Sequence, residues 1–464
     1  MVKNLISKLS IQIIYVLYII IGTLVIAGNF VVSNKYFSVI NFITTIPILI
    51  FIIYKGIRAY YKSNIKIKLW MLIAICLIVK ISIVILHRVE PEIDFRTFYD
   101  TAKNINTYEF IPNSRYIAIF PHLFGYAFFL SIIMKVFGEG IIVATIANAI
   151  LSTISMILIY YICKNTISEK AAVIGSTIWI LFPSQTIYNT LILSEPLYTA
   201  MLLSVILLII FINKNYRKKE IIILGFVLGI LIGITDSIRP VGSIAFIALG
   251  IWYFFVDRKI DIKIKGLIYT LAIIGIIITS FSIEKYITYR LGEEPSSFPG
   301  FNVYVGLNEE TGGKWSEEDS NLLHQYGIDL ESASEVQKKM LENAKERITE
   351  GNINFPTLLA KKLGSLWYDD SEAVYYSFKG ENILINNVCN LFYYIIFIFS
   401  IFGAYICKRK NENSEMFIIC IFMIGLTLAH MITEVSGRYH YSGIITLIIL
   451  GVYGLEVIGN KVRG

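Results

Sequence analysis

Charged residues are scarce in this chain, and their scarcity excludes a water-soluble fold. Of the 464 residues, 16% are charged and 56% are hydrophobic. A soluble protein cannot bury so large an apolar fraction, because surface area grows steeply with the size of the molecule. The bilayer must therefore act as the solvent for most of the chain, and a single water-soluble core is excluded.

Cysteine is also scarce, and several motifs that mark common sites are absent. The five cysteines lie in or beside apolar segments without metal-ligand spacing, so neither a disulfide framework nor a structural zinc site is expected. The sequence contains no Walker loop, no Gly-x-Ser-x-Gly elbow and no His-Glu-x-x-His pair. Basic residues do not alternate with aromatic ones, so no nucleic-acid partner is predicted despite the net charge of +7.

A series of long apolar segments dominates what is present. About 20 apolar residues cross a bilayer as a helix, and these segments show no strand alternation. We therefore predict an all-α polytopic membrane protein with about 12–13 transmembrane helices and one large extracytoplasmic loop domain. The candidate spans are 11–32, 37–54, 67–87, 117–137, 139–163, 169–187, 190–213, 220–237, 240–256, 266–285, 384–407, 416–433 and 441–459.

Short runs of Lys and Arg set the expected orientation, because such runs favour the cytoplasmic side. They lie within 55–68, 214–219, 258–265, 408–410 and 461–463. This arrangement places the loop after span 67–87 and the polar stretch 286–383 outside. An even number of crossings must join two outside loops, yet seven apolar segments lie between them. We predict that segment 169–187, which runs into Pro183, is broken or re-entrant.

The same pattern divides the chain into four predicted parts. Residues 1–66 form two N-terminal transmembrane helices and a basic cytoplasmic loop, and 67–285 form a transmembrane module with the first outer loop at 88–116. Residues 286–383 form the extracytoplasmic loop domain, and 384–464 the C-terminal transmembrane helices. Within the loop domain, 332–350 is predicted to be helical with Ser332 or Ser334 as N-cap. Residues 354–368 mix apolar and basic side chains, as expected along a membrane surface.

The first outer loop carries a cluster of acidic residues just beyond a membrane helix. Its members are Glu90, Glu92, Asp94 and Asp100. Each is compatible with a merely solvated loop. Acidic groups at a lipid–water boundary also suit a general base or a metal ligand.

Three further segments place polar residues near the same outer side. His122 suits either a structural hydrogen bond or catalysis. Glu195 interrupts an apolar run, which indicates either a site or a hydrogen bond to a nearby Ser or Tyr on another helix. Arg239 follows Asp236 by three residues, so it suits either a local ion pair or a phosphate oxygen.

The C-terminal segment HMITEVSGRYHYSG adds Glu434, Arg438, Tyr439 and His440 to this side. Arg438 opens the last span, where it is either an interfacial anchor or a ligand for an anion. Lys80 lies inside span 67–87, where it either extends outward to the interface or pairs with an acidic group.

The order of these motifs resembles a known family. After Asp94 and Tyr99 follow RYIAIFPHLFGY, LSEPLYTAMLL, SIRPVG and RYHYSGIITLIILGVYGLE. Together they resemble the polytopic GT-C glycosyltransferases, in particular bacterial members of the dolichyl-phosphate-mannose-protein mannosyltransferase group, which includes the lipid A aminoarabinose transferases. The resemblance covers roughly residues 67–459. It implies a sugar donor on a polyprenyl phosphate, contact with membrane lipids, and catalysis at the outer membrane face.

The resemblance also implies roles for individual residues. Asp94 matches the family's first-loop acidic residue and is the implied general base; many relatives have Asp-Glu here, whereas Phe95 follows Asp94, so Glu92 and Asp100 stay candidates for a share of the role. The implied ligands of the donor phosphate are Arg438, Arg239 and Lys80. The implied substrate-binding residues are Tyr99, His122, Glu195, Glu434, Tyr439 and His440. Participation of a divalent metal stays open, as does the acceptor, which is a protein, a cell-wall polymer or another lipid.

Two other function classes compete with a cell-envelope glycosyltransferase. A transporter or lipid flippase predicts charged residues at mid-membrane and repeated halves, of which the sequence offers only Lys80. A non-catalytic envelope scaffold predicts that loss of Asp94 is tolerated. The hypothesis of a glycosyltransferase instead requires that Asp94 and Arg438 line one shared pocket on the outer side.

Overall fold

The computed structural model describes residues 2–32, 39–112, 114–214, 218–239, 242–257, 260–351, 353–411 and 415–460. Every regular element in these ranges is helical, which confirms the predicted all-α polytopic fold. Several residues from the orientation runs and motifs lie outside the described ranges, namely Arg217, Pro240, Val241, Arg258, Lys259, Lys461 and Arg463.

The first half of the chain contains twelve α-helices. They are α1 (Val2–Val32), α2 (Val39–Lys62), α3 (Leu69–Leu86), α4 (Ile93–Thr107), α5 (Arg115–Ile119), α6 (His122–Phe137), α7 (Ile141–Thr166), α8 (Glu169–Leu181), α9 (Pro183–Ile187), α10 (Glu195–Lys214), α11 (Lys218–Ile238) and α12 (Ser243–Ile251). A 3₁₀ turn at Tyr188–Thr190 follows α9, and a π turn at Trp252–Val256 follows α12.

The second half contains nine. They are α13 (Ile262–Leu291), α14 (Gly300–Gly306), α15 (Glu317–Asp329), α16 (Ala333–Glu350), α17 (Phe355–Trp367), α18 (Glu372–Phe378), α19 (Ile383–Lys410), α20 (Met416–Ile432) and α21 (Ile444–Asn460). A 3₁₀ helix at Gly437–Gly443 leads into α21.

The described residues contain nine helices long and apolar enough to cross a membrane, or ten if α8 and α9 form one bent span. Three shorter apolar helices, His122–Phe137, Ser243–Val256 and Met416–Ile432, correspond to the other predicted spans. The expected number of about 12–13 is therefore reached only when these short helices are included. Their shortness explains the difference, because a helix of fewer than 18 residues falls below the length of an untilted crossing.

The predicted break at Pro183 is confirmed. The axes of α8 and of the following turn differ by 63° on either side of Phe182. Proline lacks the N–H that would continue the helix, so a new helix begins there. The non-helical carbonyls that follow are buried, and the Asn148 amide donates to the oxygens of Leu191 at 2.9 Å and Leu193 at 3.3 Å. These bonds satisfy irregular backbone inside the protein; that the segment does not cross stays a prediction.

Glycines allow the long helices to approach closely. A Cβ added at Gly229 of α11 would lie 2.1 Å from the Ala272 oxygen of α13. At Gly403 of α19, it would lie 2.0 Å from the Leu450 oxygen of α21. Small residues permit such backbone contact, which stabilises helix pairs in lipid by close packing.

The segment between α13 and α19 folds over one end of the helix bundle. Helix α16 begins as predicted, because Ser332 and Glu335 form a reciprocal capping box. Helix α17 begins after Asn354, which accepts a bond from the Thr357 N–H. Lys362 of α17 is fully buried and donates to the carbonyl oxygens of Gly306 and Thr433. This lysine joins α17 to α14 and α20; the position of α17 along the membrane surface stays a prediction.

Candidate active site

A cavity of about 810 Å³ lies where α4, α6, α10, α11 and the segment after α20 converge. Many of the residues singled out in the sequence line it together. They are Asp94, His122, Glu195, Arg239, Glu434, Arg438 and Tyr439. Elements far apart in sequence thus meet in one pocket, as the glycosyltransferase reading requires; the side of the membrane and the role of each residue stay predictions.

Helix α4 presents Asp94 to the cavity. Its residues Phe95, Phe98 and Ala102 are buried against the bundle, so the helix lies with one apolar face inward. Asp94 occupies the first turn, where the helix dipole favours negative charge. The preceding Ile93 has a φ of 52°, in the left-handed region that a β-branched residue rarely adopts. Local strain of this kind is concentrated at functional sites.

Asp94 forms an ion pair with Arg438. The Arg438 Nη2 atom donates to the Asp94 Oδ2 atom at 2.5 Å. The Asp94 side chain is 34% exposed and that of Arg438 is 14% exposed. Burial raises the pKa of the Asp94 carboxyl, but the adjacent Arg438 guanidinium prevails and holds that pKa below its usual value.

The Arg438 guanidinium lies near aromatic faces and keeps one donor unused. Its Cζ atom is 5.6 Å from the ring centroids of both Phe95 and Tyr439. Its Nε atom is buried and has no hydrogen-bond partner among the residues that the structure describes. A buried N–H without a partner is costly. The unsatisfied Nε therefore indicates a place for an additional acceptor oxygen.

A second acid–arginine pair lines the same cavity. Arg239, at the end of α11, pairs with Glu195, the first residue of α10. Glu195 also lies 3.4 Å from the Ser194 hydroxyl, so the hydrogen bond to a residue on another helix is made by arginine rather than by Ser or Tyr. The local pair of Asp236 with Arg239 is wrong, because Asp236 instead accepts a bond from the Ser243 N–H.

Tyr439 lies between the two arginines. The Arg239 Cζ atom is 5.0 Å from its ring centroid, and the His430 ring stacks on it at 4.9 Å. The Tyr439 hydroxyl donates to the Glu434 Oε1 atom at 3.4 Å. Burial raises the pKa of Glu434 to about 7, reinforced by Asp94 and opposed by Arg438. The cavity therefore holds a carboxyl group that titrates near neutral pH.

Three residues proposed for the first outer loop do not line the cavity. Glu92 forms an exposed ion pair with Lys379 at 2.5 Å. Asp100 pairs with Arg96 at 3.3 Å on the exposed face of α4. Tyr99 lies beside Lys103, whose Nζ atom is 5.7 Å from the ring centroid. Glu92 precedes α4, and the helical geometry of α4 turns Tyr99 and Asp100 away from Asp94.

Lys80 and His440 also lie outside the cavity, in the buried polar interior. Lys80 donates to the Thr186 hydroxyl at 2.8 Å, and its Nζ atom is 5.8 Å from the Trp179 ring centroid. The Lys80 side chain is fully buried, and this hydrogen bond goes to a hydroxyl rather than to an acidic group. His440 lies 2.7 Å from the Leu366 oxygen and 3.2 Å from an Asp370 carboxylate oxygen. Both residues satisfy internal contacts rather than face the pocket.

The structure adds cavity residues that sequence reasoning missed. Glu372 accepts hydrogen bonds from the Ser436 hydroxyl and from the Gly437 and Arg438 N–H groups. Tyr376 and Lys314 line the cavity from the segment between α13 and α19. The stretch DDSEAVYYS around Glu372 carries no recognisable motif, so nothing in the sequence pointed to it.

The described ranges contain no group of three or more His, Cys, Asp and Glu side chains arranged to hold a metal ion. In the cavity, Asp94 and Glu195 are each paired with an arginine. These residues therefore do not form a ligand set for a divalent ion in this arrangement, and no chemical step is assigned to a metal.

Comparison with known proteins gives one family match. Residues 121–283, from α6 into α13, match the family model described as dolichyl-phosphate-mannose-protein mannosyltransferase. The matched range includes His122, Glu195 and Arg239 but neither Asp94 nor Arg438. No curated protein matches the chain by sequence.

Solved structures of two proteins are similar to this chain. The oligosaccharyltransferase of Archaeoglobus fulgidus, in complex with zinc and sulfate, matches with a TM-score of 0.50 and 15% identity, over 84% of this chain and 49% of that chain. Its form tethered to an acceptor peptide gives a TM-score of 0.50 and 14% identity, over 85% and 50%. ArnT from Cupriavidus metallidurans bound to undecaprenyl phosphate gives 0.39 and 9%, over 84% and 77%.

The chain spans about half the length of the oligosaccharyltransferase that it matches. At these identities the oligosaccharyltransferase match establishes the fold alone. The family model adds the segment 121–283. Together they confirm the resemblance that the motifs predict: the chain is similar to the polytopic GT-C glycosyltransferases, and its residues 121–283 match the dolichyl-phosphate-mannose-protein mannosyltransferase family.

Proposed function

We propose that this chain is a membrane glycosyltransferase that moves a sugar from a polyprenyl phosphate to an acceptor hydroxyl at the extracytoplasmic face. The observation that supports it most directly is the Asp94–Arg438 pair inside the cavity. A carboxylate and a guanidinium at one point supply the two groups that such a transfer needs. One removes a proton from the acceptor, and the other stabilises the departing phosphate.

The proposed reaction is a direct displacement at the anomeric carbon. The acceptor oxygen forms a bond to that carbon while the bond from the carbon to the phosphate oxygen breaks. The acceptor proton passes to the Asp94 carboxylate, and the bonding electrons leave with the polyprenyl phosphate. Arg438 is suited to bind that phosphate, because its charge is permanent and its Nε donor is unsatisfied within the described residues.

Donor binding also prepares the base. Without a donor, the Arg438 guanidinium lowers the pKa of Asp94 and occupies one of its oxygens. A donor phosphate competes for the same guanidinium and neutralises its charge. Asp94 then becomes a stronger base, since the opposite charge that depressed its pKa is shared with the phosphate. The acceptor is therefore activated only after the donor is in place.

The surroundings of the pair suit a lipid-linked substrate. The lining of the cavity combines apolar side chains, among them Phe95, Phe98 and Leu426, with charged and polar residues such as Arg438 and Asn302. An apolar wall beside a charged centre suits a molecule with a prenyl tail and a phosphate. The outer-face location follows from the positive-inside argument, and the sugar and the acceptor stay unspecified.

The experiment is a transfer assay with the full chain in lipid nanodiscs. A panel of undecaprenyl phosphates carrying different sugars is offered together with envelope lipids and cell-wall polymer as acceptors. Release of undecaprenyl phosphate is measured by mass spectrometry. We expect release with at least one donor, and Asp94→Asn should lower its rate by about 10²–10⁴-fold, the usual contribution of a general base.

Lys339→Gln is the matched control, because it removes one member of an exposed ion pair whose residues do not line the cavity. It should keep the wild-type rate. Asp94→Asn with an unchanged rate would remove Asp94 from the reaction. Movement of intact lipid-linked sugar across the bilayer, without release of undecaprenyl phosphate, would instead support a flippase.

A further inference from the structure

We infer that Glu372 is a positioning residue that fixes Arg438 for the phosphate of the donor; this inference rests on the proposed function. Glu372 is the first residue of α18 and lines the cavity. Within the described residues, the hydrogen bonds of its carboxylate go to three consecutive residues that end at Arg438. It therefore acts through the arginine.

The contacts of Glu372 are directed at the backbone of the arginine segment. Its Oε1 atom accepts from the Gly437 N–H at 2.8 Å, and its Oε2 atom accepts from the Arg438 N–H at 2.7 Å. The Ser436 hydroxyl donates to the same carboxylate at 2.9 Å. One carboxylate thus binds three consecutive residues, and charged acceptors form stronger hydrogen bonds than neutral ones.

This contact replaces a local cap. The 3₁₀ helix Gly437–Gly443 begins after Ser436, whose side chain does not bond to the helix. N–H groups at the start of a helix need acceptors from elsewhere. Glu372 provides them from a different part of the chain. The backbone from which the Arg438 side chain extends is therefore held by α18.

Helix α18 also contacts α4, the helix that carries Asp94, the ion-pair partner of Arg438. The Tyr376 ring packs edge-on against Phe95, the residue after Asp94, with centroids 5.3 Å apart. At the end of α18, Lys379 pairs with Glu92. Helix α18 is thus joined to α4 and to the arginine segment at once. In the part of the chain that the structure describes, Glu372 links α18 to the backbone of Arg438.

The test is binding of undecaprenyl phosphate to the full chain in nanodiscs, with undecaprenol as the neutral control ligand. We expect Glu372→Gln to weaken undecaprenyl phosphate binding about tenfold, because one side of the amide presents a donor to backbone N–H groups. Undecaprenol binding should stay within about twofold, because it lacks the phosphate. In an Arg438→Ala background, Glu372→Gln should cause no further loss, since residues that act as one unit are not additive.

The matched control is Lys339→Gln, which removes one member of an exposed ion pair whose residues do not line the cavity. It should bind both ligands like the wild type. Ser436→Ala is the second variant, in case Glu372→Gln does not fold, and should weaken phosphate binding about threefold.

The outcomes separate the two proposals. If Arg438→Ala loses phosphate binding while Glu372→Gln and Ser436→Ala match the wild type, the positioning inference is overturned and the proposed function stands. An equal loss for both ligands, or full additivity with Arg438→Ala, would show a merely structural role and overturn it as well. If wild-type protein does not distinguish undecaprenyl phosphate from undecaprenol, the proposed function fails and takes the inference with it.

Discussion

The cavity contains two acid–arginine pairs that differ in accessibility and in how they are held. In the Asp94–Arg438 pair, the carboxylate side chain is 34% exposed and the guanidinium keeps a buried Nε that has no partner among the described residues. In the Glu195–Arg239 pair, the carboxylate side chain is only 5% exposed. The difference indicates that the first pair can exchange its partner for a ligand, whereas the second fixes α10 against α11.

The largest expected effect lies in the stability of the second pair. Glu195→Ala should lower the free energy of unfolding by about 3–5 kcal/mol, because it leaves the Arg239 charge buried without its partner. Asp94→Ala should lower it less, by about 1 kcal/mol, because the Asp94 side chain is 34% exposed, so water can take the place of the lost carboxylate beside Arg438. Equilibrium unfolding in mixed micelles measures both values.

The control is the double substitution of Glu195→Leu with Arg239→Met, which replaces the pair by apolar side chains. It should recover most of the lost stability, since isolated buried charge causes the loss. Equal destabilisation by Glu195→Ala and Asp94→Ala would erase the proposed division between a structural pair and an exchangeable pair.

The next effect concerns how the Asp94–Arg438 pair acts on the lipid-linked sugar donor. Arg438→Lys keeps the positive charge but removes Nε and the planar fork of donors. We expect kcat/KM for the lipid-linked donor to fall about 100-fold, as when a preorganised donor to a developing anion is removed. Arg239→Lys keeps a positive charge beside Glu195 and should lower kcat/KM by less than about fivefold. Steady-state kinetics with varied donor concentration compares them, and a larger loss at position 239 would reverse the assignment.

Much of this contrast could not be read from the sequence. The apolar runs predicted the helices and the break at Pro183, because both depend on local composition. The meeting of Asp94 with Arg438, 344 residues apart, came only from the ordered motifs of a family resemblance. Spacing alone gave the wrong partner for Arg239. The three-residue separation favoured an ion pair with Asp236, whereas the structure pairs Arg239 with Glu195.

Glu372 is a second case in which the sequence could not predict a contact. Its role depends on a turn that brings α18 beside the 3₁₀ helix, and no local pattern encodes that approach. Glu92 and Asp100 had the expected residue type and region, but Glu92, just before α4, and Asp100, on the exposed face of α4, are both directed to water. Residue type and region were therefore predictable, whereas the direction of each side chain required the tertiary structure.

The last expected effect concerns pH and comes from Glu434, which lies near both arginines. Burial raises its pKa from 4.5 to about 7 in the folded protein. Between these values the unfolded chain has released the proton while the folded chain keeps it, so the folded state binds more protons. Stability should therefore fall as pH rises from about 4.5 to about 7. Glu434→Gln carries no ionisable proton and should flatten this part of the profile.

Thermal unfolding from pH 5 to pH 8 measures the difference between wild type and Glu434→Gln. Glu318→Gln is the control, because Glu318 is exposed and its charge stays in water; it should follow the wild-type profile. Parallel profiles for wild type and Glu434→Gln would show that the carboxyl is already ionised below neutral pH. In that case Glu434 carries a negative charge near Arg239 and Arg438 throughout this pH range. This charge would already neutralise part of the positive charge of both arginines before any donor binds. The proposed exchange of Asp94 for the donor phosphate would then be less favourable.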